Sequence, residues 1–178
     1  MALKSTVYKA ELQISDMDRH YYQPHTLTLA LHPSETIERM MIRLLAFALH
    51  ASDNLSFGRG LSTEDDAALW RRDLTDHVEL WIDVGLPDEK RIRKASHRAD
   101  QVIVYSYGER NAPIWWEQNQ KKFRCLDNVH VDYVSPRTSA ELTQLCARTM
   151  QLHCNIMDGE VSLGNDTSSV QIELDRWL

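Results

Sequence analysis

The sequence predicts an α/β fold, a mixed β-sheet core with flanking helices and additional β-hairpins at both ends. Apolar and polar residues alternate near both ends of the chain, which is the pattern of half-buried strands. A wide apolar arc over residues 34–50 indicates a helix, and an unbroken apolar run at 101–105 indicates a fully buried strand. At 178 residues, without repeats or linkers, the chain is predicted to form one domain over 1–178.

The N-terminal elements are predicted to be an antiparallel hairpin followed by a helix. Residues 6–15 alternate apolar and polar side chains, and residues 25–31 resume the alternation after a polar turn. The helix is expected over 34–50, with Ser34 as its N-cap and Glu35 favoured by the positive end of the helix dipole.

The middle of the chain is predicted to hold a short strand, an acidic loop or strand entry, a hairpin, a helix and a buried strand. These elements are expected at 55–60, 62–66, 69–84, 87–98 and 101–105. Pro87 fits the first position of its helix, where its missing N–H group has no intrahelical partner.

The C-terminal third is predicted to begin with a tryptophan-rich helix near 112–120 and a strand near 129–134. Thr138 and Glu141 have the spacing of a capping box, so a further helix is expected, with an apolar stripe reaching Met150. Asp158-Gly159 is typical of a type I′ hairpin turn. A last strand is expected over 170–174.

Composition excludes several classes of protein. No run approaches the roughly 18 apolar residues that span a bilayer, and the N-terminus reads as a strand, so a cytoplasmic protein without membrane contact is expected. The three widely spaced cysteines predict ordinary thiols, and no motif for an organic cofactor is present. A net charge of −6 disfavours generic nucleic-acid binding but allows a local basic face for nucleic acid, or a protein partner.

The stretch 79–94 carries the strongest functional signal. Strand alternation places Glu79 and Asp83 on one face, where buried carboxylates are costly unless something binds them. A segment rich in lysine and arginine follows directly. Carboxylates at a strand end beside a basic helix suit Mg²⁺ and a phosphate group.

The predicted order over about 34–106 is helix, three strands, helix, strand, which is the core order of restriction-endonuclease-like nucleases. In those enzymes the third strand carries an acid-x-lysine motif, whose acid holds Mg²⁺ and whose lysine supports the nucleophile or the developing charge. Asp83-Val84-Gly85 is the best-placed match and lacks the lysine. Lys94 or Arg91 of the following helix is the expected catalytic replacement.

Three further acids complete the candidate metal site. Asp65 or Asp66 is expected to supply the acid of the preceding strand, the alternative being a solvated acidic loop. Glu38 falls inside the apolar arc of its helix, while Arg39 and Arg43 fall outside it. Glu38 therefore either pairs with an arginine, caps the helix end, or makes an outer contact to the metal.

The basic residues also have two interpretations. The helix at 87–98 is either a phosphate-binding surface or a solvated polar face, and Lys121, Lys122 and Arg124 form a second patch that would extend such a surface.

Long segments of the chain resemble the YaeQ family of Gram-negative bacteria. The resemblance rests on four segments: TVYKAELQISDMDRHYY, HPSETIERMMIRLLAFAL, ELWIDVGLPDEKRIRKAS and IWWEQN. It covers essentially the whole chain and implies a variant of the PD-(D/E)xK nuclease superfamily fold, with the nuclease-like core at about 34–106. Asp83 then matches the strand acid of that superfamily, and Gly85 stands where its lysine is usual.

Two functions are therefore predicted. The first is a Mg²⁺-dependent phosphodiesterase or nuclease, with Asp83 as the central ligand. The second is a catalytically inactive nuclease-fold protein that binds a protein or nucleic acid. A shared cation site beside Asp83 would favour the first, and an internal salt bridge of Asp83 would favour the second.

Overall fold

The computed structural model describes residues 4–61 and 64–178, so Ser62 and Thr63 of the predicted acidic loop lie outside the described residues. The strands are β1 (Thr6–Asp16), β2 (Tyr21–Leu31), β3 (Leu55–Phe57), β4 (Leu69–Arg72), β5 (Val78–Val84), β6 (Ala99–Ser106), β7 (Val129–Val134), β8 (Thr149–Met157), β9 (Glu160–Gly164), β10 (Ser169–Gln171) and β11 (Leu174–Arg176). The helices are α1 (Ile37–His50), α2 (Glu89–Arg98), α3 (Asn111–Phe123) and α4 (Pro136–Gln144). None of these helices has the length and apolar character needed to cross a membrane.

The α/β class is confirmed, and the described strands form two mixed sheets. The chain divides into two compact units, Met1–Ala48 with Arg137–Glu173, and Leu49–Pro136 with Leu174–Leu178. The first unit has the sheet order β10-β9-β8-β1-β2, and the second has the order β11-β7-β6-β5-β4-β3.

The predicted N-terminal hairpin is confirmed in the first unit. β1 and β2 pair antiparallel along their whole length, with Tyr21 opposite Asp16, so the second strand begins four residues earlier than expected. Alternate residues of β1, including Leu12 and Ile14, are buried. The apolar residues that alternate along the sequence of β1 therefore form the core face of this sheet.

The start of α1 differs from the prediction. The Oγ1 of Thr36 accepts a hydrogen bond from the N–H of Arg39 at 3.1 Å, so Thr36 and not Ser34 caps the helix. Ser34 instead lies in a turn, where its N–H and Oγ contact Nδ1 of His32. Both residue types make good caps, and the local pattern does not distinguish two of them two positions apart.

The second half of the first unit confirms one turn and corrects one helix. Asp158 and Gly159 have φ of +53° and +78° and join β8 to β9 as a hairpin, as expected. The capping box is wrong because α4 begins at Pro136. Thr138 lies within the helix, and its Oγ1 accepts a hydrogen bond from the N–H of Glu173.

The second unit contains the sheet that positions the candidate site. β3, β4 and β5 pair antiparallel in succession, and β5, β6 and β7 run parallel. α2 and α3 are the crossover connections, and they bury Ile92, Ala95 and Phe123 in one cluster with Trp81 and other sheet residues. The hairpin, the basic helix and the buried strand of the middle segment are confirmed with small shifts of their ends.

The start of α2 and the last strand of the chain differ from the prediction. α2 is capped by Asp88, whose side chain accepts the N–H of Arg91, so Pro87 precedes the cap instead of opening the helix. The predicted last strand at 170–174 is two short strands, because Ile172 and Glu173 separate β10 of the first sheet from β11 of the second.

Candidate functional site

The central candidate, Asp83, is bound by an arginine of the following helix. Asp83 lies near the end of β5 with its side chain 4% exposed. Its two carboxylate oxygens accept hydrogen bonds from Nε and Nη2 of Arg91, both at 2.8 Å. This two-pronged geometry is the strongest pairing available to arginine and carboxylate, and it raises the pKa of Arg91, chiefly through the hydrogen bonds to Asp83.

Arg91 also fixes the acidic loop that precedes β4. Its Nη1 donates to the backbone carbonyl of Glu64 at 2.5 Å, and its Nη2 donates to that of Asp66 at 2.7 Å. Arg98, two turns later on the helix, donates to the carbonyl of Asp65 at 3.0 Å. One face of α2 is therefore engaged by backbone carbonyls of residues 64–66, and Arg91 joins this loop to the end of β5.

The loop carboxylates are paired with cations as well. Both oxygens of the buried Asp66 accept from the Arg59 side chain, with the Nε contact at 2.8 Å, and these hydrogen bonds lower the pKa of Asp66. Asp65 is exposed and pairs with Lys94, which lowers the pKa of Asp65. Arg91 contacts both Asp83 and the carbonyl of Asp66, but the carboxylates of Asp65 and Asp66 each pair with a different cation.

The two remaining acids are not part of this cluster. Glu79 pairs with Arg71 across the β4–β5 hairpin at 3.1 Å, and both side chains are partly exposed. Glu38 belongs to the first unit, where its carboxylate accepts a hydrogen bond from the hydroxyl of Ser139. Glu38 therefore neither pairs with an arginine nor caps the helix end, the two structural roles that were expected for it. Its partner is a hydroxyl group of α4 instead.

The buried acid near the start of α1 is Glu35, two residues before the helix, rather than Glu38. Glu35 accepts hydrogen bonds from Arg39 and Arg43 at 2.7 Å each, and Arg43 is only 5% exposed although its helical position predicted a solvated side chain. Burial is the largest influence on Arg43 and lowers its pKa, while Glu35 opposes that shift. The signal available in the sequence was an acid with arginines four and eight residues later.

Gly85 ends the strand where the superfamily pattern has a lysine. Its φ is +117°, a region that favours glycine, and its N–H donates to the carbonyl of Tyr105 at 2.9 Å. The glycine therefore serves the turn from β5 toward α2, and Arg91, not a strand lysine, supplies the cation beside Asp83.

The donor set beside Asp83 does not fit a bound Mg²⁺ ion. Magnesium takes oxygen ligands in near-octahedral geometry, usually from one or two carboxylates with waters. Here both oxygens of Asp83 and of Asp66 face guanidinium groups, so Arg91 and Arg59 hold the positions that a metal would need. Within residues 4–61 and 64–178, no group of three His, Cys, Asp or Glu side chains could hold a metal ion.

The outward surface of α2 and α3 is cationic. Residues 86–128 contain nine Lys and Arg against six Asp and Glu, in a chain with a net charge of −6. Six of these cations are exposed and form no ion pair with any described carboxylate: Lys90, Arg98, Arg110, Lys121, Lys122 and Arg124. Cations in the last turn of α3 also offset the helix dipole, which stabilises them there without any partner.

Two polar contacts, one made by β6 and one by β7, were not predicted from the sequence. The buried Tyr105 hydroxyl lies 2.6 Å from Nε2 of His50, and burial raises the pKa of Tyr105. Asp132 pairs with Arg176 of β11 through Nε at 2.5 Å. These partners are 55 and 44 residues apart, so no local pattern could have linked them.

Comparison with known proteins identifies relatives along the whole chain. The family model described as "YaeQ protein" matches residues 1–174. The "Uncharacterized protein YaeQ" of Salmonella typhi is 45% identical over 99% of this chain and 98% of its own length, and that of Escherichia coli K12 is 44% identical over the same shares.

Two crystal structures have the same fold. The YaeQ protein from Xanthomonas axonopodis pv. citri is 47% identical and superposes with a TM-score of 0.93, covering 97% of this chain and 98% of that one. The YaeQ protein from Pseudomonas syringae is 36% identical, also with a TM-score of 0.93, over 98% and 96% of the two chains.

Proposed function

The chain belongs to the YaeQ family, and from that membership and the geometry above we propose that it is a catalytically inactive nuclease-fold protein that binds nucleic-acid backbone. The proposal places the restriction-endonuclease-like core at about 34–106. The order β3-β4-β5-β6, antiparallel up to β5 and parallel after it, supports that assignment.

The observation that carries the proposal is the double hydrogen bond between Asp83 and Arg91. A metal-dependent nuclease needs its strand acid free to bind the ion and to polarise the attacking water. In this chain that acid is bound by the side chain of Arg91, which also anchors residues 64–66. The pair therefore serves the fold, and the exposed cations of α2 and α3 are left as the surface for a partner.

Nucleic acid is the partner that this surface favours over protein. Lysine and arginine bind phosphates without reading sequence, and such contacts suit a patch of exposed and unpaired cations. The acidic remainder of the chain limits the affinity and confines binding to the basic segment.

Titration of a labelled 20-nucleotide single strand and duplex by fluorescence anisotropy, between 50 and 200 mM salt, tests this function. If Lys90, Lys121, Lys122 and Arg124 contact duplex phosphates, log K against log salt should have a slope of about −3 to −4. The triple variant Lys121→Gln, Lys122→Gln, Arg124→Gln should make that slope shallower by about 2 to 3.

The matched control changes the same net charge elsewhere. Lys4, Lys9 and Arg148 are exposed residues of the first unit, and their triple glutamine variant should leave the slope unchanged. An equal loss in both variants would show that only net charge matters, against the proposal. Cleavage of the oligonucleotide with Mg²⁺ or Mn²⁺, abolished by Asp83→Asn, would instead establish the phosphodiesterase.

A further inference from the structure

A polar cavity opens beside the β3–β4 hairpin in the second unit. Its volume is about 390 Å³, within the usual range of small-molecule sites. Its walls are formed by six residues: Phe57, Gly58, Arg59, Asp66, Trp70 and Arg72. Phe57, Trp70 and Arg72 have no role in the catalytic or nucleic-acid-binding functions considered above. The proposed function therefore does not explain the cavity.

The hydrogen-bond donors of the cavity favour an anion. Two guanidinium groups line it, and each has one carboxylate partner, Asp66 for Arg59 and Asp76 for Arg72, so what they offer a ligand is their remaining N–H donors. The Arg59 side chain is 77% exposed and uses Nε and one Nη2 hydrogen for Asp66. A guanidinium carries five N–H donors, so three donors of Arg59 remain for a ligand.

Arg72 is held in place and keeps donors of its own. Its guanidinium lies 3.6 Å from the centre of the Trp70 ring, and its Nη1 donates to Asp76 at 2.9 Å. The other hydrogens on its two Nη atoms have no partner among the described residues. Stacking on tryptophan fixes the plane of the group, which lowers the entropy lost when a ligand binds.

Gly58 allows the two walls to approach each other. A Cβ atom at this position would lie 1.9 Å from the carbonyl oxygen of Ala67, and the N–H of Gly58 donates to Ala68 at 2.9 Å. Only glycine permits this close backbone contact, which sets Arg59 beside Asp66. This contact therefore fixes the backbone of the cavity wall next to Arg59 and Asp66.

We propose that this cavity is a binding site for a small phosphate monoester, with Arg59 and Arg72 as the phosphate ligands. Guanidinium groups match phosphate oxygens with paired hydrogen bonds. The volume is more than ten times the roughly 30 Å³ of a liquid water, so an organic portion fits beside the phosphate. Phe57 and Trp70 are the aromatic residues of the lining. The site does not depend on nucleic-acid binding by α2 and α3.

Isothermal titration calorimetry with adenosine monophosphate and, separately, with inorganic phosphate tests the site. Arg59→Gln and Arg72→Gln should each weaken binding of the monophosphate at least tenfold. Asp66→Asn should tighten it, because it removes the carboxylate that competes for Arg59, and a folding defect cannot produce that gain. Arg19→Gln is the control, since Arg19 forms a similar pair with the buried Asp16 in the other unit.

Three outcomes would overturn the proposal. Absence of heat with millimolar monophosphate would exclude the site, as would unchanged affinity in the two cavity variants. Inorganic phosphate binding as tightly as the monophosphate would exclude the organic portion of the ligand. Loss of oligonucleotide binding in the α3 triple variant, with monophosphate binding retained, would show that the two surfaces are separate.

Discussion

Gly85 explains in physical terms why the acid-x-lysine pattern is absent from β5. A residue with φ of +117° is strained if it carries a Cβ atom, whatever the side chain beyond it. No atom lies within 4 Å of a Cβ built at this glycine, so space is available and only the backbone conformation opposes substitution. A lysine here would conflict with the turn into α2.

Gly85→Lys should therefore destabilise the protein without creating a nuclease. We expect a loss of about 1–3 kcal/mol in the free energy of unfolding, measured by urea denaturation. Gly85→Ala is the matched control and should cost about the same, because both substitutions share the backbone strain. A lysine variant that gains Mg²⁺-dependent cleavage would show that the missing residue alone had silenced the site.

Asp83 should prove to be a stability residue. Asp83→Asn leaves the partly buried charge of Arg91 without its carboxylate, and removal of one partner from a buried pair costs about 3–5 kcal/mol. Because Arg91 is 28% exposed, we expect a smaller loss of about 2–3 kcal/mol. Glu79→Gln in the exposed pair with Arg71 should cost under about 1 kcal/mol, and equal losses would argue against the structural role.

The helices and strands show which structural features a local sequence pattern can predict. The order of elements, the β1–β2 hairpin and the Asp158-Gly159 turn follow from alternation and turn chemistry alone. The cap of α1 and the start of α4 do not, because hydroxyl residues at several positions fit a capping pattern equally well. Arg43 was misplaced because a helical arc separates apolar from polar residues and does not report a buried ion pair.

The entry to α1 supplies a test of that buried pair. Glu35→Gln should destabilise the protein by about 3–5 kcal/mol, since it removes the carboxylate that compensates the buried charge of Arg43. The double variant Glu35→Gln, Arg43→Met removes both charges and should recover most of the loss. Urea denaturation of the two single variants and the double variant gives the coupling energy. Additive losses would mean that the two side chains do not depend on each other.

The division of the strands into two sheets could not be predicted from local sequence patterns. β1 pairs in parallel with β8, so residue 12 of the chain lies beside residue 152. Val134 of β7 pairs antiparallel with Leu174 of β11, which brings the last residues into the second sheet. Side-chain periodicity predicts that a segment is a strand but carries no information on its neighbour when the partner is distant. The same limit applied to the candidate acids. The sequence placed Arg91 near Asp83, but it did not show that Arg59 binds Asp66 or that Glu38 binds Ser139.

The stability of the whole chain offers the sharpest test of the metal hypothesis. A ligand that binds only the folded state stabilises it by about 2.7 kcal/mol at 100 times its Kd, so 10 mM Mg²⁺ would do so at a site with Kd of about 0.1 mM. In a chain of this size, that corresponds to a rise in Tm of roughly 5–10 °C. We expect no such rise, because Arg91 and Arg59 occupy the carboxylates that would bind the ion.

The control for this experiment separates a specific site from general salt effects. Thermal melts with Mg²⁺ should match melts at equal ionic strength in NaCl, for the wild type and for Asp83→Asn alike. A rise specific to Mg²⁺ in the wild type and absent from Asp83→Asn would mean that the ion displaces Arg91. In that case the Asp83–Arg91 pair would be the resting state of a metal centre, and the phosphodiesterase would become the better account of the same geometry.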